Sequence, residues 1–128
     1  MRIVSAALLA ALALGSAAAA QSVVGIGEQS IGTVVSLHRG DTLAVTLGAN
    51  ATTGFSWRLT AVNQSVLRPD STAYITSMLA PGLAGSGGVA VLTFKALARG
   101  RTTLNLAYVG PGRSPPTAKR FAVSIVVR

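Results

Sequence analysis

The chain has 128 residues, 50% of them hydrophobic, with 11 Lys and Arg against 3 Asp and Glu. The absence of cysteine excludes disulfides, zinc–thiolate sites, thiol redox chemistry, a nucleophilic cysteine and a lipid-anchored start. The net charge of +8 favours anionic partners, but the basic residues are scattered along the sequence and lack interleaved aromatics, so nucleic acid is not an expected partner.

Met1-Arg2 gives a positive start, Ile3 to Leu14 is an apolar run without charge, and Ser16 to Ala20 offers small residues of the A-x-A type. This is the pattern of a secretory signal peptide cut near Ala20–Gln21. The run is too short for a comfortable membrane span, and no later segment resembles one, so no membrane insertion is expected. Residues 21–128 are then expected to form one exported domain, periplasmic or secreted, acting as a monomer. Loss of Arg2 with the signal leaves ten basic residues against three acidic ones, a charge of +7.

From there the chain is written in period two. Ile31, Thr33, Val35 and Leu37 alternate, as do Leu43, Val45 and Leu47. The pattern returns at Phe55-Trp57-Leu59, Ala90-Leu92-Phe94, Leu104-Leu106-Tyr108 and Phe121-Val123-Ile125-Val127, with a weaker strand over Thr72 to Met78. Turn residues separate these runs: Arg39-Gly40-Asp41, Gly48-Ala49-Asn50, Arg68-Pro69-Asp70, Pro81 to Gly88, Arg99-Gly100 and Gly110 to Pro116. No segment has an amphipathic helix of three turns. Six or seven short strands on one domain predict an all-β fold, an antiparallel immunoglobulin-like β-sandwich, with a small closed barrel as the competitor.

Catalytic groups are few. His38 is the only histidine and sits beside the Arg39-Gly40-Asp41 turn, where adjacent polar residues serve turn formation. The mature chain holds four His, Asp and Glu residues, too few to build a metal site, so no cofactor and no enzymatic activity are expected. Three loops carry more information. In Asn50-Ala51-Thr52-Thr53-Gly54, Asn50 can close an Asx-turn and Gly54 can take φ > 0 where the chain re-enters a strand. Pro81 to Gly88 is rich in Gly and Ser and lacks both the lysine and the following helix of a phosphate cradle. Gly110 to Pro116 combines three prolines with two glycines and the forked donor of Arg113. Sequons occur at Asn50-Ala51-Thr52 and Asn63-Gln64-Ser65, and a glycan on Asn50 would cover the first loop.

Taken together, these loops resemble the signatures of the chagasin family of cysteine-protease inhibitors. The family's N-P-T-T-G-Y/F loop and following tryptophan strand are matched by Asn50 to Trp57, with Ala51 in place of proline. Its G-x-G-G element is matched by Gly85-Ser86-Gly87-Gly88, with Phe94 in the strand beyond. Its L-x-Y-x-R-P-W-like element is matched by Leu106 to Val109 and by Pro111, but Gly110 stands where arginine is usual and Gly112 where the aromatic is usual. Lys119-Arg120 and the alternation through Val127 match the family's ending.

The resemblance implies a sandwich whose three loops form a wedge in the active-site cleft of papain-like cysteine proteases. Asn50, Ala51, Thr52, Thr53 and Gly54 would lie against the protease's catalytic pair. Gly85, Ser86, Gly87 and Gly88 would pack on one side, with Pro111, Gly112 and Arg113 on the other. A neutral tip suits that place, because a buried uncompensated charge costs several kcal/mol. Loss of the Arg and aromatic from the third loop removes common hot-spot residue types and implies altered or weaker target preference on that side. The alternative is a non-inhibitory immunoglobulin-like binding module for a protein or an anionic envelope component.

Overall fold

The computed structural model describes residues 21–50, 53–76, 88–112 and 116–128. The expected signal segment, residues 1–20, lies outside them. Eight strands are present: β1 (Val23–Gly27), β2 (Val34–Leu37), β3 (Thr42–Gly48), β4 (Ser56–Ala61), β5 (Leu67–Thr76), β6 (Gly88–Ala96), β7 (Gly100–Val109) and β8 (Thr117–Val127). They form two four-stranded sheets, ordered β1-β3-β6-β5 and β2-β8-β7-β4. Among the described residues no helix is long and apolar enough to cross a membrane.

Period-two alternation produces this arrangement. In β6, Ala90, Leu92, Phe94 and Ala96 are buried while Val91, Thr93 and Lys95 are partly exposed; in β8, Phe121, Val123, Ile125 and Val127 are buried. These side chains meet Leu43, Val45 and Leu47 of β3 and Leu104 and Leu106 of β7 in one core between the sheets. Each such side chain contributes about 1.5–3 kcal/mol by leaving water.

The expected sandwich therefore forms, with three local differences. The sheets are mixed, because β1 pairs parallel with β3 and β2 parallel with β8. The chain runs along the edge of one sheet and then crosses to the edge of the other, which aligns each short strand with its neighbour. Second, β1 is an additional strand, while Ile31 and Thr33 lie outside the strands, after a 3-10 turn over Glu28–Ser30. Ile31 is accordingly exposed. Third, Arg68-Pro69-Asp70 is not a turn but part of β5, which carries a bulge between Pro69 and Ser71. An edge strand tolerates proline because its outward N–H side has no ladder partner to lose.

The register fixes which ends of the strands coincide. Gly48 pairs with Val89 and Thr76 with Gly88 in one sheet; Ser56 and Thr117 both pair with Val109 in the other. Bonds between the sheets align these two ends: Trp57 Nε1–H donates to the Gly48 carbonyl at 3.0 Å. The β3–β4, β5–β6 and β7–β8 connections thus all leave from one pole.

Candidate functional site

The connection from β3 to β4 is a tight turn built on one carbonyl. Asn50 O accepts from the Thr53 N–H at 3.2 Å and from the Thr53 hydroxyl at 2.7 Å. The Thr53 hydroxyl oxygen also accepts from the Phe55 N–H at 3.4 Å. Gly54 follows with φ +80°, the left-handed conformation expected of it, and lets the chain reverse into β4. Thr53 and Gly54 are exposed at the tip, and neither carries charge.

Aromatic side chains beneath hold this turn. Tyr108 is buried at the end of β7, and its hydroxyl oxygen accepts the Asn50 N–H at 2.8 Å. Its ring centroid lies 5.4 Å from that of Phe55 and 5.1 Å from that of Trp57, in tilted pairs. Trp57 is buried, its indole anchors Gly48, and its backbone N–H donates to the Tyr74 hydroxyl at 3.1 Å. Phe55, just before β4, and Leu59 within it share the inward side with Trp57 and pack on the core, as the alternation requires. The Lys119 ammonium stands 5.7 Å from the Tyr108 ring centroid, within cation–π range.

The third loop is closed by the Gly110 N–H donating to the Pro116 carbonyl at 2.9 Å. A Cβ on Gly110 would stand 3.0 Å from Phe55 Cζ and 3.1 Å from Pro116 Cδ. The glycine is therefore what allows the Phe55 ring to nest against this loop, which gives a physical reason for its replacing the family's usual arginine. Gly54 also faces Pro111, whose ring carbons lie 3.4–3.7 Å from a Cβ built at Gly54. The first and third loops are in contact. Between the tip and β8 lies an open depression of about 390 Å³, lined among others by Ala49, Thr53, Phe55, Tyr108 and Lys119.

Of the site residues expected from sequence, Asn50, Thr53, Gly54, Pro111 and Gly112 meet at this pole, with Gly88 opening β6 beside them. Ala51, Thr52, Gly85, Ser86, Gly87 and Arg113 lie outside the described residues. The Tyr108 hydroxyl went unrecognised as an anchor, although a buried tyrosine needs a partner for its polar end. Glu28 was also missed: its Oε1 accepts the Gly48 N–H at 2.9 Å and ties the end of β1 to the base of the first loop.

His38 and Asp41 sit at the other pole and make a turn. Asp41 is buried, with Oδ2 accepting the His38 N–H at 2.8 Å and Oδ1 the Ser22 N–H at 3.1 Å. The His38 amide holds the carboxyl below its ordinary value; burial opposes this, and the Ser22 amide and the nearby His38 and Lys95 charges reinforce it. The His38 side chain is 82% exposed, with Nδ1 3.8 Å from Asp41 Oδ2. The carboxylate is occupied in fastening backbone, which is turn chemistry rather than a catalytic dyad.

The class defined by this fold and pole is an immunoglobulin-like sandwich presenting a neutral, aromatic-braced loop tip. A family profile described as chagasin family peptidase inhibitor I42 matches residues 36–125, and the chain belongs to that family. The family consists of peptidase inhibitors, not enzymes. The fold is similar to that of the cysteine protease inhibitor EhICP2 from Entamoeba histolytica, at TM-score 0.75 and 18% identity over 85% of this chain and 98% of that one. It is also similar to amebosin, at TM-score 0.63 and 23% identity over 84% and 98% of the two chains. PbICP-C, solved in complex with falcipain-2, is similar at TM-score 0.57 and 17% identity over 84% and 99%. No curated protein is similar enough in sequence to count as a match.

Proposed function

We propose that this protein is an exported, reversible inhibitor of papain-like cysteine proteases that occludes their active-site cleft with its three loops. The observation carrying the proposal is the turn on Asn50 O, an uncharged tip fixed to Tyr108 and contacting the third loop, in a chain of a peptidase-inhibitor family. The bonds that tie Asn50, Thr53 and Phe55 together in the free protein reduce the entropy lost on binding. Its hydroxyls and amides can meet polar groups in the cleft without bringing in a charge that must be desolvated. No reactive group on the inhibitor is needed, so inhibition is non-covalent. The complex of the similar PbICP-C with falcipain-2 supports the same class of target.

Titration of the folded protein against papain and a cathepsin-L-like enzyme tests the proposal. Inhibition at or below micromolar protein is expected; folded protein without effect on either enzyme refutes the reading for those targets. Replacing Thr52 alone by glutamate keeps the Thr53 hydroxyl bonds and should abolish inhibition while leaving the thermal midpoint nearly unchanged.

A further inference from the structure

The pole opposite the loops gathers positive charge that is scattered in the sequence. Arg39 follows β2, Arg68 lies in β5 and Lys95 in β6, yet all three line one cleft of about 500 Å³ floored by Gly40, Ala96 and Leu97. Arg68 and Lys95 are direct cross-strand partners on the outer face of the sheet. Like charges placed directly opposite destabilise a sheet. Among the described residues the one ion pair is His38–Asp41, so none of the three cations forms an ion pair there, although the Lys95 charge is near enough to favour the Asp41 carboxylate. The Lys95 ammonium instead donates to the Thr42 hydroxyl at 3.2 Å. Arg39 is held in place by backbone: its N–H donates to the Arg128 carbonyl at 3.0 Å, and the next N–H, of Gly40, donates to Ala96 O at 2.8 Å. Arg99 and Arg101 flank Gly100, which pairs with Val127 at the same pole of the other sheet, and extend the positive field. The register thus brings together in space basic residues that are scattered along the sequence.

We propose that this cleft binds a phosphate group carried on a sugar or lipid headgroup. Two arginines and a lysine lining one cleft, without a carboxylate among its lining residues, suit a tetrahedral oxyanion with several acceptor oxygens. The cleft is several times larger than one such anion, and its remaining floor is backbone and apolar side chain, which fits the moiety bearing the phosphate. The unfavourable Arg68–Lys95 pairing is eased when an anion occupies the cleft that both residues line. The site lies at the far pole from the loops, so it can be filled while the tip is engaged, and it does not depend on the protease reading.

The test is titration of 15N-labelled protein at low salt with glucose 1-phosphate, inorganic phosphate and glucose, and with phosphatidylcholine vesicles with and without phosphatidic acid. Saturable shifts confined to Gly40, Lys95, Ala96 and Leu97 are expected with glucose 1-phosphate and none with glucose. The R39Q/R68Q variant alters exposed side chains only; it should weaken binding roughly tenfold or more and leave papain inhibition unchanged. R39Q/R68Q-sensitive binding to phosphatidic acid vesicles supports the cleft as a lipid headgroup site, and equal affinity for inorganic phosphate and glucose 1-phosphate overturns the role given to the moiety that bears the phosphate. Absence of saturable shifts with every phosphate probe, shifts spread over all basic residues, or binding unchanged in R39Q/R68Q overturns the proposal.

Discussion

Replacing Tyr108 by phenylalanine isolates the tie between the core and the loop tip. The substitution keeps the ring against Phe55 and Trp57 and removes only the hydroxyl, which accepts the Asn50 N–H at 2.8 Å and donates to the Asn50 carbonyl at 3.5 Å. A buried donor that loses its partner costs about 1–3 kcal/mol. This bond is only partly buried, so water offsets some of the loss and the lower half of that range applies, about 1–1.5 kcal/mol. For a domain of this size that lowers the melting midpoint by about 4–8 °C. The same loss loosens the carbonyl on which Thr53 folds back, so the free inhibitor must reorder its tip on binding. The inhibition constant should rise by up to roughly tenfold, the equivalent of about 1.4 kcal/mol. Calorimetric melting and papain titration of the wild type and variant read both quantities. If midpoint and inhibition constant are both unchanged, the tie has no role; if the midpoint falls but inhibition does not, the tyrosine serves the fold alone.

Restoring the family's usual residue with Gly110→Arg should destabilise the chain by about 1–3 kcal/mol, because the new Cβ meets Phe55 and Pro116 at 3.0 and 3.1 Å; a melting midpoint equal to wild type contradicts this packing. Gly54→Ala forces a side chain onto φ +80° and should cost about 1–2 kcal/mol in urea unfolding, with weakened inhibition. Asp41→Asn removes a carboxylate whose native pKa is depressed, so its contribution is present above the ordinary carboxylate value and lost as pH falls through the native one. The wild type should therefore melt above the variant at pH 7, and the gap should close as pH falls below 3.8, the ordinary value. A gap independent of pH would show that the charge on Asp41 is immaterial.

Strands with an uninterrupted apolar face were readable from sequence, as β3, β6, β7 and β8 were. Those with a local exception were not. In β1 only Val24 and Ile26 turn inward, while the alternate face holds an exposed valine, Val23, and two glycines, Gly25 and Gly27, rather than polar side chains that would mark it. In β5, proline and aspartate signal a turn, whereas the edge position and a bulge absorb both. The tip was legible in its conformational part, since Gly54 occupies the left-handed region its place before β4 demanded. Its bracing was not, because Tyr108 lies 58 residues from Asn50 and only strand pairing joins them. The basic cleft needed the same information: nothing local in Arg39, Arg68 and Lys95 tells that β5 and β6 place two of them side by side.

Occlusion of the protease active site is tested most directly by its catalytic cysteine. Papain saturated with this protein should resist alkylation by iodoacetamide and regain full reactivity on dilution, with the inhibitor recovered at its original mass. Alkylation at the rate of uninhibited papain, under conditions where the two proteins are shown to be bound, would contradict the account.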